Sequence, residues 1–144
     1  SFFPKYDRSH QINIIENYTI GKKFLGSTVN IGLSYAFYTG QPYYSPEMWY
    51  IGRDGNLVSV NSYQDRHRLP NYSRFDISFK FKWDHESWFI EPYLQIINMF
   101  NHHNVWYIDY ESRPMESAPY IFTVKENKAN MFPRLPFIGV NIHF

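Results

Sequence analysis

Phe75-Asp76-Ile77-Ser78-Phe79-Lys80-Phe81-Lys82-Trp83 alternates apolar and polar side chains at every step. After Asp84-His85-Glu86-Ser87 the alternation resumes, with Trp88, Ile90, Pro92, Leu94 and Ile96 set against Phe89, Glu91, Tyr93 and Gln95. Period two over that length is the mark of strand, and a four-residue link makes a hairpin. With Trp83 facing Trp88, Phe81 meets Ile90, Phe79 meets Pro92, Ile77 meets Leu94 and Phe75 meets Ile96. One face is then wholly apolar, and a slip of one residue would destroy it. On the other face Lys80 meets Glu91, Ser78 meets Tyr93 and Asp76 meets Gln95. A cross-strand charge pair of that kind contributes about 0.2–1 kcal/mol. Two settings suit such a hairpin: half of a water-soluble sandwich, or a membrane barrel with lipid on the apolar face and a wet lumen on the polar one.

Outward from the hairpin, residues 27–38 alternate just as regularly. Val29, Ile31, Leu33, Tyr35 and Phe37 share one face; Thr28, Asn30, Gly32, Ser34 and Ala36 share the other. Residues 10–20 form a less regular strand, with Ile12, Ile14, Tyr18 and Ile20 on the apolar face and Glu16 interrupting it. Gly21-Lys22-Lys23-Phe24 reads as the turn between these two. Residues 137–144 form the last strand, with Ile138, Val140, Ile142 and Phe144 against Gly139, Asn141 and His143. The five strands are therefore expected near 10–20, 27–38, 74–83, 88–99 and 137–144. Residues 40–72 and 101–136 are long connections rich in proline. Asp54-Gly55 marks a small hairpin inside the first, between Met48–Ile51 and Leu57–Val60.

Composition narrows the setting. The chain has 144 residues, a formal net charge of +1 and no cysteine, which gives no pull toward nucleic acid and excludes disulfides and thiolate metal sites. No apolar run is long enough for a transmembrane helix. The first residue is Ser1, without an initiating Met or signal peptide, so the front is expected to be processed or truncated. Aromatic residues make up 21% of the chain, with 13 Tyr, 13 Phe and 4 Trp, more than a small soluble core requires. Transmembrane barrels use such residues in girdles at both interfaces. Trp83 and Trp88 fit one girdle; Tyr35 and Phe37 fit the other.

The connections alternate short, long, short, long, as in outer-membrane barrels with periplasmic turns and long external loops. Five strands cannot close such a barrel, which needs at least about 8. Residues 10–20 and 137–144 would be raw edges. The chain is thus expected to be the end of a larger barrel, with its C-terminus in the periplasm.

Four stretches resemble the C-terminal barrel segment of TonB-dependent outer-membrane receptors. Tyr6-Asp7-Arg8-Ser9-His10 resembles that family's Tyr-Asp-x-x-His stretch. Arg68-Leu69-Pro70-Asn71-Tyr72-Ser73-Arg74-Phe75-Asp76 resembles its Arg-Leu-Pro-x-Tyr-x-Arg-hydrophobic-Asp stretch. Glu91 to Asn101 resembles its Glu-x-x-hydrophobic-Asn-hydrophobic-Phe-Asn strand, and Pro136 to Phe144 its closing strand with a final aromatic. The resemblance covers nearly the whole chain, though no plug domain and no energy-coupling box are present in it. It implies an all-β, antiparallel up-and-down barrel of about 22 strands with a plugged lumen in the bacterial outer membrane. It implies TonB-driven uptake of a scarce, bulky nutrient, a metal chelate or an oligosaccharide. The partners it implies are the rest of the barrel and plug, the TonB complex, outer-membrane lipid, the substrate and a surface lipoprotein on the outer loops. The other readings are a passive porin, a barrel enzyme, or a soluble carbohydrate-binding sandwich.

Two residues depart from the pattern. Glu16 falls on the lipid face, which calls for a bulge or a place at the membrane edge. Pro92 has no N–H for the ladder, which calls for a bulge or an unpaired site. For substrate, the loop aromatics Tyr43, Tyr44, Trp49, Tyr50, Trp106, Tyr107 and Tyr110 offer stacking surfaces for a sugar or chelate. Arg66 and Arg68 offer charge for an anion, although packing of loop on loop or a place in the outer girdle is the favoured account of the aromatics, and the arginines need no role beyond solvated charge. Asp76, Lys80, Lys82, Glu91 and His143 are expected to face the lumen or the plug. Asn98 and Asn101 look like strand-end hydrogen bonding. His102 and His103 are neighbours that point opposite ways along a strand, a poor pair for one metal. Asp65 and His67 lie in a long loop and His85 in a short turn, so they form no common site. There is no phosphate loop, paired zinc motif or nucleophile elbow. Asp109, Glu111 and Glu116 alone support no catalytic role, and no enzyme activity or cofactor is expected.

Overall fold

A computed structural model describes residues 7–116 and 118–144, with the side chains of 22–24, 61–66 and 118–120 outside the description. The described strands are β1 (Gln11–Phe24), β2 (Ser27–Tyr38), β3 (Pro42–Ile51), β4 (Leu57–Arg68), β5 (Tyr72–Asp84), β6 (Phe89–Ile97), β7 (Val105–Met115), β8 (Ala118–Asn130) and β9 (Leu135–His143). The chain divides into two units. One is a five-stranded sheet in the order β1-β2-β5-β6-β9, and the other holds the two-stranded sheets β3-β4 and β7-β8. All pairings are antiparallel.

In the five-stranded sheet the alternation anticipated from sequence lines up in rows. Tyr18, Ile31, Phe79, Leu94 and Ile138 sit side by side across the strands, each opposite the next. Ile14, Tyr35 and Phe75 form another row, and Trp83, Ile90 and Ile142 a third. The reverse face carries Asn17, Gly32, Ser78 and Gln95 in one row and Thr19, Asn30, Lys80, Tyr93 and Gly139 in the next. Small residues are needed where a large neighbour lies across them. A Cβ on Gly139 would run into the ring of Tyr93.

Several details differ from the sequence expectation. Asp84 pairs with Phe89 and Trp83 with Ile90, so Lys80 lies opposite Tyr93, not Glu91. The register is offset by two residues, which keeps every side chain on its expected face. The turn is tighter than the four-residue link: the His85 N–H donates to the Trp88 carbonyl at 2.8 Å. The His85 ring also stacks on Trp88 at 5.3 Å. Trp83 instead donates its indole N–H to the Leu25 carbonyl at 3.0 Å. β1 continues to Phe24, and the turn is Leu25-Gly26, both with positive φ, 49° and 78°. Two left-handed residues match the twist of a hairpin.

At Pro92 there is no bulge. The β5–β6 register is the same on both sides of it, and the ladder lapses at Phe81 and Lys82, while Pro92 still pairs with Val140 of β9. The missing N–H therefore falls on the β5 side. The residues read as long loops are largely strand. The hairpin in 40–72 extends well beyond the short one expected, with a break at Pro46, and 101–136 holds a second that sequence did not indicate.

Little of the sheet is a core. Val29 and Ala36 are its buried hydrophobic residues, while Phe75, Ile77, Phe79 and Phe81 on the central strand are only half-buried. The surface totals 11062 Å². Two compact globules of half this mass each would expose roughly 9,500 Å² together.

Candidate functional site

The polar face of the sheet gathers the residues expected to face a lumen. Near the tight turns, Lys82 pairs with Asp84 at 2.7 Å and lies 4.6 Å over the Phe89 ring. Phe89 stacks on His143 at 5.4 Å. Glu91 accepts a hydrogen bond from Asn141 at 3.0 Å, where a pair with Lys80 was expected. Glu91 is thus bound to the closing strand, and Lys80 stays exposed. These groups share a face and form a mixed-charge surface suited to polar contacts.

At the other end of the sheet, Asn98 ties β5 to two stretches outside the strands, at His102 and Phe132. It is 2% exposed, with φ of 54°. Its backbone N–H donates to Asp76 at 2.9 Å. Its side-chain amide donates to the carbonyls of His102 and Phe132 at 3.0 and 3.2 Å, and its oxygen accepts from the His102 N–H at 3.0 Å. Asn101, φ 53°, accepts from the Arg134 N–H at 2.9 Å. Asparagine is among the few residues that adopt the left-handed region readily. Asp76 also pairs with Arg74 at 3.1 Å. The knot accounts for Asp76, Asn98 and Asn101 as architecture. His102 belongs to it through its backbone, and among the described residues no group of three His, Asp or Glu could hold a metal.

In the other unit, Arg68 donates to the Asp7 carboxylate at 3.0 Å and to the Gly40 carbonyl at 2.9 Å. The Gly40 N–H donates to Asn71 at 3.1 Å, and the Leu69 N–H to the Gln41 carbonyl at 3.0 Å. Asp7 and Arg68 come from two stretches quoted separately above, and the contact between them was not anticipated. Tyr6 lies outside the described residues. Arg68 therefore closes the base of the β3-β4 hairpin and is not a free anion ligand.

The loop aromatics do not converge on one site. Tyr43 and Tyr44 are adjacent on β3 and project to opposite faces, as do Trp49 and Tyr50. Tyr43 contacts His67 across the pair at 5.7 Å. Trp106 and Tyr107 meet edge-on at 5.4 Å and are both exposed. The Arg66 side chain lies outside the description, although its backbone pairs with Tyr44. One junction does form: Tyr110 of β7 hydrogen-bonds to Tyr43 of β3 and to Glu126 of β8. Burial first, then the Tyr43 contact and the Glu126 charge, push the Tyr110 phenol up to about 12. Glu126 carries no signal in the sequence, because it is one charge among many in a segment read as loop.

The β7-β8 hairpin also holds an open concavity of about 220 Å³ lined by Glu111, Arg113, Thr123 and Lys125. Arg113 donates to Glu111 at 2.9 Å and, as the main cause, holds that carboxyl below its usual range. With Arg113 so occupied, the concavity offers ionic and hydrogen-bonding contacts and no nucleophile–base pair. No protein family, curated protein or solved structure matches this chain.

Proposed function

We propose that this chain is part of a bacterial outer-membrane β-barrel that imports a bulky, scarce nutrient, a metal chelate or an oligosaccharide, with energy from the TonB complex. One observation carries the membrane half of that reading. One apolar row, Tyr18, Ile31, Phe79, Leu94 and Ile138, runs across all five strands, half-buried in its middle and exposed at its ends, with Ile138 at 84% and Tyr18 at 67%. In water such a face is unfavourable by roughly 25 cal/mol per Å² of apolar surface, and patches beyond a few hundred Å² mark an interface. Hydrocarbon on that side and water on the other is the setting in which this face and its charged reverse are both satisfied. The free edges of β1 and β9 call for further strands, since open edges do not persist in lipid. The active, TonB-driven half rests on the four family-like stretches. The aromatic and charged hairpins are the part available to a substrate or a surface lipoprotein.

Spin labels placed singly at positions 137 to 143 of the full-length protein in native outer membranes test the membrane half. Oxygen accessibility should peak at 138, 140 and 142, and water-soluble relaxant accessibility at 139, 141 and 143. Uniform access by the soluble relaxant would sink the barrel reading. Uptake assays in cells lacking the TonB complex test the other half. Uptake that survives that deletion makes the protein a passive porin.

A further inference from the structure

We infer that the free edge of β1 is taken by a strand that sets a Lys or Arg directly across from Glu16 inside the apolar band, a conclusion that rests on the barrel reading above. The β1–β2 register is unbroken from Gln11 opposite Tyr38 to Ile20 opposite Val29, and shifts only between Ile20 and Phe24. Glu16 therefore lies on the same face as Ile12, Ile14, Tyr18 and Ile20, and no bulge turns it away. Its partner Leu33 is the third of the five apolar residues Phe37, Tyr35, Leu33, Ile31 and Val29. Four residues, or about 13 Å of strand, separate it from either end of that stripe, so it is not at the rim. Both ways of relieving this carboxylate that the sequence left open are thus closed.

Its own row supplies nothing. Glu16 is followed across the sheet by Leu33, Ile77, Ile96 and Pro136. Among the described residues no ion pair or side-chain hydrogen bond reaches its carboxylate, and the residue is exposed. Ionisable side chains at membrane depth are rare and pair with one another or with polar groups. The side not yet accounted for is the edge itself, where β1 has no neighbour among the described strands in the order β1-β2-β5-β6-β9. A strand paired there places one side chain on the same face with its Cβ roughly 4.5–5.5 Å from that of Glu16. A long basic side chain at that point meets the carboxylate and keeps its stem in the apolar band.

The sign of one substitution decides the matter. Glu16→Leu, Glu16→Gln and Ile14→Lys are made in the full-length protein, folded in lipid, and their urea unfolding midpoints compared with wild type. A paired Glu16 makes Glu16→Leu lower the midpoint, because a cation is left without its partner, with a smaller drop for Glu16→Gln. Ile14→Lys should lower it as well. If Glu16→Leu raises the midpoint while Ile14→Lys lowers it, Glu16 stands bare against lipid and the inference fails with the barrel intact. If Ile14→Lys leaves the midpoint unchanged, the band faces water and the barrel reading fails together with the inference.

Discussion

In the five-stranded sheet, apolar and charged side chains are sorted onto opposite faces, Glu16 excepted; in the β3-β4 and β7-β8 hairpins they are interleaved. Phe79, Leu94 and Ile138 stand in one row of the sheet, with Lys80, Tyr93 and Gly139 next along on the reverse. On β7 and β8, by contrast, Ile108 pairs with Lys128 and Tyr110 with Glu126. The proposed membrane setting would account for this, because a phase boundary along a sheet selects for sorting. A hairpin with water on both sides has no such selection. It needs only enough cross-strand contact to hold its shape, since a lone two-stranded hairpin is marginal in water. On the proposed reading the sheet is the barrel wall and the two hairpins are its loops.

The sharpest way to break that contrast is one charge placed in each region. Phe79→Lys lies in the middle of the sorted face, and a lysine at the midplane of a barrel's lipid face costs about 2–4 kcal/mol. Met48→Lys sits on an exposed strand of the first hairpin and should change stability by no more than about 0.5 kcal/mol. Urea unfolding of the two full-length variants in lipid measures both. Equal effects would mean that the sheet face and the hairpin see the same solvent.

The second contrast is between hydrogen bonds that are architectural and those that are local. Asn98 is buried and makes four bonds to three segments, whereas Asn127 on β8 makes one long contact, to Glu111 at 3.4 Å, near the surface. Asn98→Ala strands the Phe132 carbonyl and the His102 backbone and loses a residue suited to positive φ. The cost should be about 1–3 kcal/mol. Asn127→Ala should be near neutral by the same unfolding measurement. An Asn98→Ala variant as stable as wild type would show that the strand end closes without this knot.

How much of this was legible follows the same division. The sheet could be read because sorting writes period two into the sequence; residues 27–38 were expected as strand and are strand. The hairpin register was not fixed by that signal. Alternation is unchanged by a shift of two, so pairing Lys80 with Tyr93 or with Glu91 satisfies it equally, and the tight Glu86-Ser87 turn decides. The Leu25-Gly26 turn was hidden because leucine rarely takes positive φ, whereas Gly21-Lys22 looks like a turn. The β7-β8 hairpin was hidden by Pro114 and Pro119 and by charge on both faces. In the candidate site, Tyr43 and Tyr110 were recognised as loop aromatics, but their junction through Glu126 depends on a fold that sequence did not show.

The smallest effect expected is in the turn of the first hairpin, where pH should act on the hairpin tip and leave the five-stranded sheet untouched. Asp54 accepts hydrogen bonds from the Asn56 side chain at 2.7 Å and from the Asn56 N–H at 3.3 Å. The side-chain bond first, then the backbone bonds, hold its carboxyl below the usual carboxylate range. A carboxyl lowered by folding stabilises the turn in full above its unfolded pKa and loses that contribution as pH falls through the lower, folded one. Between neutral pH and about pH 5 the turn should therefore be unaffected, and protection should fall only in more acidic solution. Hydrogen–deuterium exchange of peptides spanning 50–60, corrected for the intrinsic pH dependence, reads this out. Removing the main hydrogen bond with Asn56→Ala should move the transition to higher pH. Peptides from β5 should show no such transition tied to Asp54, because this carboxylate bonds only within the tip of the first hairpin. Identical pH profiles for wild type and Asn56→Ala would show that this carboxylate does not order the tip.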